Sequence, residues 1–283
     1  LTDGADITAS SVFQPHSLPG GETWLKLAKS TAQLLPLAAG PLPEVTLELR
    51  AETDTQLGAE WRIASLRGSH TPDETLWSST FSVSAGERRL TLPSGPDLPE
   101  TGYAFLVLIE NEDLSVRLSD QGATGLSRVN YHGLQGPGDS HNDYLPAEQA
   151  GCESFELWFR EKRPRFQKHL ALELSTPLTG FGSENMATHP LRPTTQPNAW
   201  VADPADPDPT LTLRWPESRT VKGIRIFLDP DWDHPLESVI LRHGFRVMPT
   251  LVRDLEILDE QGNTLATVRD NHQAKVDISF DGK

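Results

Sequence analysis

Apolar and polar residues alternate with a period of two along short runs of this chain, the pattern of β-strands. In the first half these runs are separated by proline and glycine turns and lie at residues 23–28, 45–51, 59–65, 76–83, 88–92, 103–109 and 114–118. Val45, Leu47 and Leu49 alternate with Thr46 and Glu48, which predicts a strand with one solvent face. The run 103–109 is apolar on both sides and predicts a central strand. Together the seven runs predict a β-sandwich.

The second half has the same character. Its alternating runs lie at residues 155–160, 211–215, 221–228, 251–258, 264–268 and 275–280. Gly262 lies between two of them and predicts a hairpin turn. Only one short helix is predicted, over 235–243, because Asp233 can cap its start and Gly244 follows its end. The second half is therefore predicted to be another β-sandwich, with one short helix.

The periodicity disappears between residues 119 and 151, where glycines and small polar residues dominate. We therefore predict an all-β protein with two jelly-roll-like domains: an N-terminal β-sandwich over 1–120, a glycine-rich linker over 121–151 and a second sandwich over 152–283. The chain begins at Leu1 without methionine and stops at Lys283 just after a predicted strand, so we expect the second sandwich to be truncated at its C-terminus.

Charge and apolar content limit the classes of partner that the chain can bind. The net charge is −15, from 40 acidic and 25 basic residues, so a nucleic-acid backbone would be repelled. The longest apolar run, 103–109, is far shorter than the roughly 20 residues of a membrane-spanning helix. The single cysteine, Cys152, excludes an internal disulfide and leaves the compartment undetermined. We therefore expect neither nucleic acid nor a membrane as partner.

No catalytic or metal-binding motif is complete. The glycines at 133–138 lack the spacing and the following helix of a dinucleotide fingerprint, which favours a flexible linker. Asp229, Asp231 and Asp233 alternate as in a calcium loop, but His234 stands where an EF-hand needs glycine, which leaves a solvated turn or a different cation site. The nine histidines occur in no zinc or triad motif. We predict no catalytic residue and no metal site.

Four separated fragments carry a family resemblance: NAW at 198–200 followed by DP at 203–204, HPLES at 234–238, RVMP at 246–249 and NHQ at 271–273. Their order resembles the C-terminal region of a bacterial family of large FAD-dependent oxidoreductases, which ends in a discoidin-like or galactose-binding-like domain. The resemblance covers about the last 130 residues. It implies that an N-terminal FAD-binding domain of the same polypeptide is the partner and holds the cofactor, while this segment holds none.

The resemblance leaves two functions open. The chain is either a non-catalytic accessory module of such an oxidoreductase, with a structural or substrate-positioning role, or a carbohydrate-binding module that targets an enzyme to polysaccharide. The second function would place a ligand at the loop end formed by Asn198, Trp200, Trp232 and Arg246, where tryptophan faces can stack on sugar rings and arginine can donate hydrogen bonds. Alternatively, Trp200 is a mostly buried plug that holds the loop 185–203 against the second sandwich.

Galactose-binding-like domains often hold a structural calcium, which makes the loop 185–203 a candidate position for one. The oxygen ligands there would come from Asn185, Asn198 and Asp203, which supply only one carboxylate. The alternative is a loop stiffened by Pro190, Pro193 and Pro197.

Overall fold

The computed structural model describes residues 4–28, 30–65, 71–119, 128–130, 169–187, 197–228 and 251–280. These residues form β-strands, numbered β1 to β20 in chain order, and one 3-10 helix, Ser183–Ala187. No α-helix occurs in the described ranges. The all-β fold class predicted from the sequence is confirmed. In the same ranges no helix is long and apolar enough to cross a membrane.

The first sheet has five antiparallel strands. Its strands, in spatial order, are β13 (Arg128–Asn130), β4 (Thr31–Leu37), β11 (Gly102–Leu108), β7 (Thr55–Ser65) and β8 (Thr71–Val83). β11 lies between β4 and β7, and all its residues are buried. The central strand predicted at 103–109 is therefore confirmed.

The second sheet has seven antiparallel strands. Its strands, in chain order, are β2 (Ser17–Leu18), β3 (Trp24–Leu27), β6 (Val45–Ala51), β9 (Gly86–Leu92), β12 (Asn111–Ser119), β14 (His169–Leu170) and β15 (Leu172–Leu174). β6 pairs with β9 along its whole length, and its other edge pairs with β12 and β15. β3 and β14 add to β12, and β2 adds to β15.

Four further antiparallel pairs complete the described strands. They are β1 (Asp6–Ala9) with β16 (Leu211–Arg214), β5 (Gly40–Pro41) with β10 (Asp97–Leu98), β17 (Gly223–Phe227) with β20 (Lys275–Ser279), and β18 (Leu255–Leu258) with β19 (Thr264–Val268). The last pair is the predicted hairpin. Its turn contains Gly262 at φ 83°, a backbone conformation that favours glycine.

The main apolar core lies between the two sheets of the N-terminal sandwich. Inward residues of β6, such as Leu47 and Leu49, are fully buried in one cluster with Leu106 and Leu108 of β11 and with Trp61 of β7. Alternation explains this arrangement, because every second residue of a strand points to the same face.

The other face of the first sheet is also covered. Leu34 of β4 and Phe105 and Val107 of β11 form a second buried cluster with Phe181. Phe13 and Val201 pack against this cluster. Three chain segments that are distant in sequence therefore meet on the outer face of the first sheet.

Three short strands depart from the predicted organisation. β13 lies inside the predicted linker 121–151 and extends β4 at Thr31–Gln33. β14 and β15 fall in the stretch assigned to the second sandwich, yet both are part of the seven-stranded sheet of the first. A strand edge presents unpaired backbone groups that any nearby extended segment can complete, which is why pairing partners did not follow sequence order here.

Candidate functional site

Two of the four predicted ligand-binding residues lie in the described part of the chain. Asn198 and Trp200 are both half-buried in the loop that follows residue 196. Trp232 and Arg246 fall outside the described residues, as do the predicted helix 235–243, the acidic run 229–233 and Cys152. The four-residue site therefore stays a prediction, of which the described residues contain Asn198 and Trp200.

Trp200 contacts the N-terminal segment of the chain. Its indole Nε1 donates a hydrogen bond of 2.8 Å to the backbone oxygen of Ser11, which follows β1. Trp200 is partly buried, its expected role as a plug against the second sandwich stays a prediction, and the contact seen among the described residues is with the N-terminal segment. The physical reason is that the indole N–H needs an acceptor, and the carbonyl of Ser11 supplies one.

A backbone ladder continues this contact across three segments. The amide of Phe13 donates to the oxygen of Val201 at 2.7 Å, and the amide of Val201 donates to the oxygen of Phe181 at 3.1 Å. The rings of Phe13 and Phe181 lie 6.2 Å apart in a tilted arrangement. The loop that carries Trp200 is thus attached to the outer face of the first sheet.

Asp206 fixes the next part of the loop. Its Oδ2 accepts hydrogen bonds from the hydroxyls of Ser10 and Ser11 at 2.8 and 2.6 Å, and its Oδ1 accepts one from the backbone amide of Asp208. These hydrogen bonds, led by the one from Ser11, lower the pKa of the Asp206 carboxyl below its ordinary value. Ser10 also pairs with Thr210 through both its backbone and its hydroxyl.

We call this arrangement the clamp, defined as residues 10–13 joined to residues 198–210. It extends the pairing of β1 with β16, in which Ile7 lies opposite Leu213. The sequence contained one clue to the clamp, since the alternating aspartates and prolines at 203–209 favour turns closed by aspartate side chains. Nothing in the sequence indicated that Ser10, Ser11 and Phe13 would be the partners, because they lie about 190 residues away.

Two of the residues considered as calcium ligands, Asn185 and Asp203, form hydrogen bonds with nearby backbone groups. Asn185 donates hydrogen bonds from its side-chain amide nitrogen to the backbone oxygens of Gly180 and Ala199. Asp203 accepts a hydrogen bond from the backbone amide of Ala205 within its own turn. In the described ranges no group of three or more His, Cys, Asp or Glu residues could hold a metal ion.

Asn271, in the fragment 271–273, is a buried polar residue that forms hydrogen bonds with two chain segments. Its side-chain amide donates to the backbone oxygens of Val252 and Gln273, and its Oδ1 accepts from the amide of Gln273. Its own backbone amide donates to the oxygen of Arg253. The asparagine therefore ties the segment before β18 to the segment before β20, while His272 is exposed.

No protein-family model, no curated protein and no solved structure matches this chain. The family resemblance of the C-terminal fragments therefore stays a prediction. What can be stated of Asn198 and Trp200 is that they lie in a loop attached to the N-terminal sandwich.

Proposed function

We propose that this chain is a non-catalytic accessory module of a larger FAD-dependent oxidoreductase, with a structural role. The flavoprotein part of the proposal depends on the order of the four fragments between residues 198 and 273. The structural part depends on the clamp, and one observation carries it: the indole N–H of Trp200 is engaged by the backbone of Ser11 within the same chain.

The clamp and the neighbouring Asn185 argue for a structural role, because polar groups at this end of the loop already bind other parts of the same chain. The Trp200 N–H, the Asp206 carboxylate and the Asn185 amide all form intramolecular hydrogen bonds. A ligand at this end of the loop would have to replace these bonds, which costs free energy that a preorganised site does not require. These contacts favour a module that holds its own segments in place.

The carbohydrate-binding alternative stays a prediction for Asn198, Trp200, Trp232 and Arg246. No contact of Asn198 or Trp200 among the described residues specifically favours it. Substrate positioning for the oxidoreductase is compatible with the same proposal, since a rigid module can hold a catalytic domain in place without contributing reacting groups.

The proposal is tested by comparing two purified proteins. The first is the 283-residue chain, and the second is the full polypeptide that its gene encodes. We expect the longer protein to carry about one FAD and the chain alone to carry none, as read from the flavin absorption band. Stoichiometric flavin in the isolated chain, or a gene that encodes no flavin-binding domain, would contradict the proposal.

A further inference from the structure

The outer face of the seven-stranded sheet is polar except at one position. Residues of β6 and β12 that point inward are buried, whereas Thr46, Glu48, Ser115 and Arg117 point outward and are partly exposed. Trp24 of β3 lies on this outer face and is half-buried. Among the described strands of the sheet it is the only Trp, Tyr or Phe that points outward. An aromatic ring on a charged, solvent-facing surface requires an explanation.

Two arginine side chains lie close to the ring of Trp24. The guanidinium carbon of Arg50 lies 4.4 Å from the centroid of the Trp24 ring, and that of Arg117 lies 5.7 Å from it. Both distances are within the range of cation–π attraction. The side chain of Arg50 is 48% exposed, and Trp24 is half-buried.

Both arginines are fixed in position by hydrogen bonds. Arg50 donates from Nε and Nη2 to the carboxylate of Glu87. Arg117 donates from Nε to the backbone oxygen of Gly21 and from Nη1 to Glu48. A Cβ at Gly20 would lie 2.7 Å from the Cδ of Arg117, so a side chain there would require the arginine to shift. The group is therefore preorganised, which reduces the entropy cost of binding a ligand.

The charges on this face cancel. Its ion pairs are Arg50 with Glu87, Arg117 with Glu48, Arg89 with Glu173, and Lys26 with Glu52. This locally neutral surface belongs to a protein whose net charge is −15. Each arginine retains N–H groups beyond those in the hydrogen bonds described above, and the carboxylates retain acceptor capacity. Donors and acceptors thus alternate around one aromatic ring.

We propose that this face, centred on Trp24, binds an uncharged oligosaccharide. A sugar ring presents C–H groups that stack on an aromatic face and hydroxyls that need both donors and acceptors, and Trp24, Arg50 and Glu87 supply all three. A nucleic acid would be repelled by the acidic protein. The core of a protein interface and a lipid-binding surface are both rich in apolar side chains, and Trp24 is the only large one on this face among the described strands. The site is separate from the clamp and from the proposed accessory role.

The proposal is tested by electrophoresis in native gels that contain soluble polysaccharides. The neutral probes are mixed-linkage β-glucan, xyloglucan and galactomannan, and the acidic probe is polygalacturonate. We expect retardation by at least one neutral polysaccharide. With a hexasaccharide of that polymer, calorimetry should show a dissociation constant raised about tenfold or more in Trp24→Ala, the loss expected when an anchoring aromatic residue is truncated.

Two further variants make the result specific. Arg50→Gln leaves the ring in place but removes the stacked cation, and it should weaken binding even if Trp24→Ala fails to fold. Trp200→Phe, in the clamp, should bind like the parent. No retardation by any neutral polysaccharide, retardation only by polygalacturonate, or unchanged binding in Trp24→Ala and Arg50→Gln would overturn the proposal. The flavin test of the accessory role is independent of these outcomes.

Discussion

Trp200 and Trp215 differ in the hydrogen bonding of their indole N–H groups. The indole N–H of Trp200 has the oxygen of Ser11 as acceptor, whereas the buried indole N–H of Trp215 has no hydrogen-bond partner among the described residues. An unpaired buried donor carries a desolvation penalty, so its removal costs little. The two residues are therefore a matched pair for measuring what the clamp contributes.

Replacing each tryptophan by phenylalanine should give two different losses of stability. Trp200→Phe should lower the free energy of unfolding by about 1 kcal/mol more than Trp215→Phe, because only the first loses a formed hydrogen bond. Denaturant titration of both variants measures the difference. Equal losses would show that the bond to Ser11 contributes nothing.

Asp206 should make the clamp sensitive to acid. Its folded-state pKa is lowered from the ordinary value of 3.8, mainly by the hydroxyl of Ser11. The stabilisation it provides is therefore complete above that value and is lost as the pH falls through the lower folded-state pKa. The parent should be more stable than Asp206→Asn at pH 7, and the gap should close in acid. Asp208→Asn is the control, since the carboxylate of Asp208 takes no part in these bonds; a gap that does not change with pH in Asp206→Asn would contradict the assignment.

Asn271 should matter more than its neighbour His272. Asn271→Ala leaves the backbone oxygens of Val252 and Gln273 without their donor, and should cost about 1–3 kcal/mol of unfolding free energy. His272→Ala, at an exposed position, should stay within about 0.5 kcal/mol of the parent. Thermal unfolding of the two variants checks this, and equal stabilities would refute the structural role of Asn271.

At the scale of elements, alternation predicted several of the longer strands in which one face meets solvent, but it missed the short strands β1 and β15. β6 was predicted with its observed bounds, 45–51, because Val45 to Ala51 alternate without interruption. β4 was missed because all its residues are buried and Pro36 interrupts it. That proline is tolerated because β13 pairs with β4 only at Thr31–Gln33, which leaves β11 as its only described partner at Pro36.

The pairing of β1 with β16 could not be predicted from the sequence, because the two strands lie more than 200 residues apart and each is only four residues long. It predicts a local effect of truncation. Deleting residues 1–9 should speed amide hydrogen exchange in Leu211–Arg214, since that edge loses its partner, while β11 in the sandwich core stays protected. The β17–β20 pair is the internal control. Unchanged protection of Leu211–Arg214 would argue against the pairing.

At the scale of the whole molecule, the N-terminal sandwich is the packed centre of the described chain. Both faces of its strands β4 and β11 are buried, one against the second sheet and the other beneath Phe13, Phe181 and Val201. Sequence reasoning predicted two successive domains, but it could not predict that residues 169–174 complete the first sandwich or that the clamp covers it. Such long-range pairings depend on which edges meet in three dimensions, and no local pattern records them.

The central claim is that the loop carrying Trp200 is a structural clamp, and Trp200→Ala tests it most directly. The unfolding free energy and the retardation by polysaccharides should be measured on the same preparation. We expect a loss of about 2 kcal/mol, below the roughly 3–5 kcal/mol for a fully buried aromatic because the ring is half-buried. Any polysaccharide binding of the parent should be retained. A variant as stable as the parent that has lost polysaccharide binding would contradict the clamp and support a ligand site at Trp200.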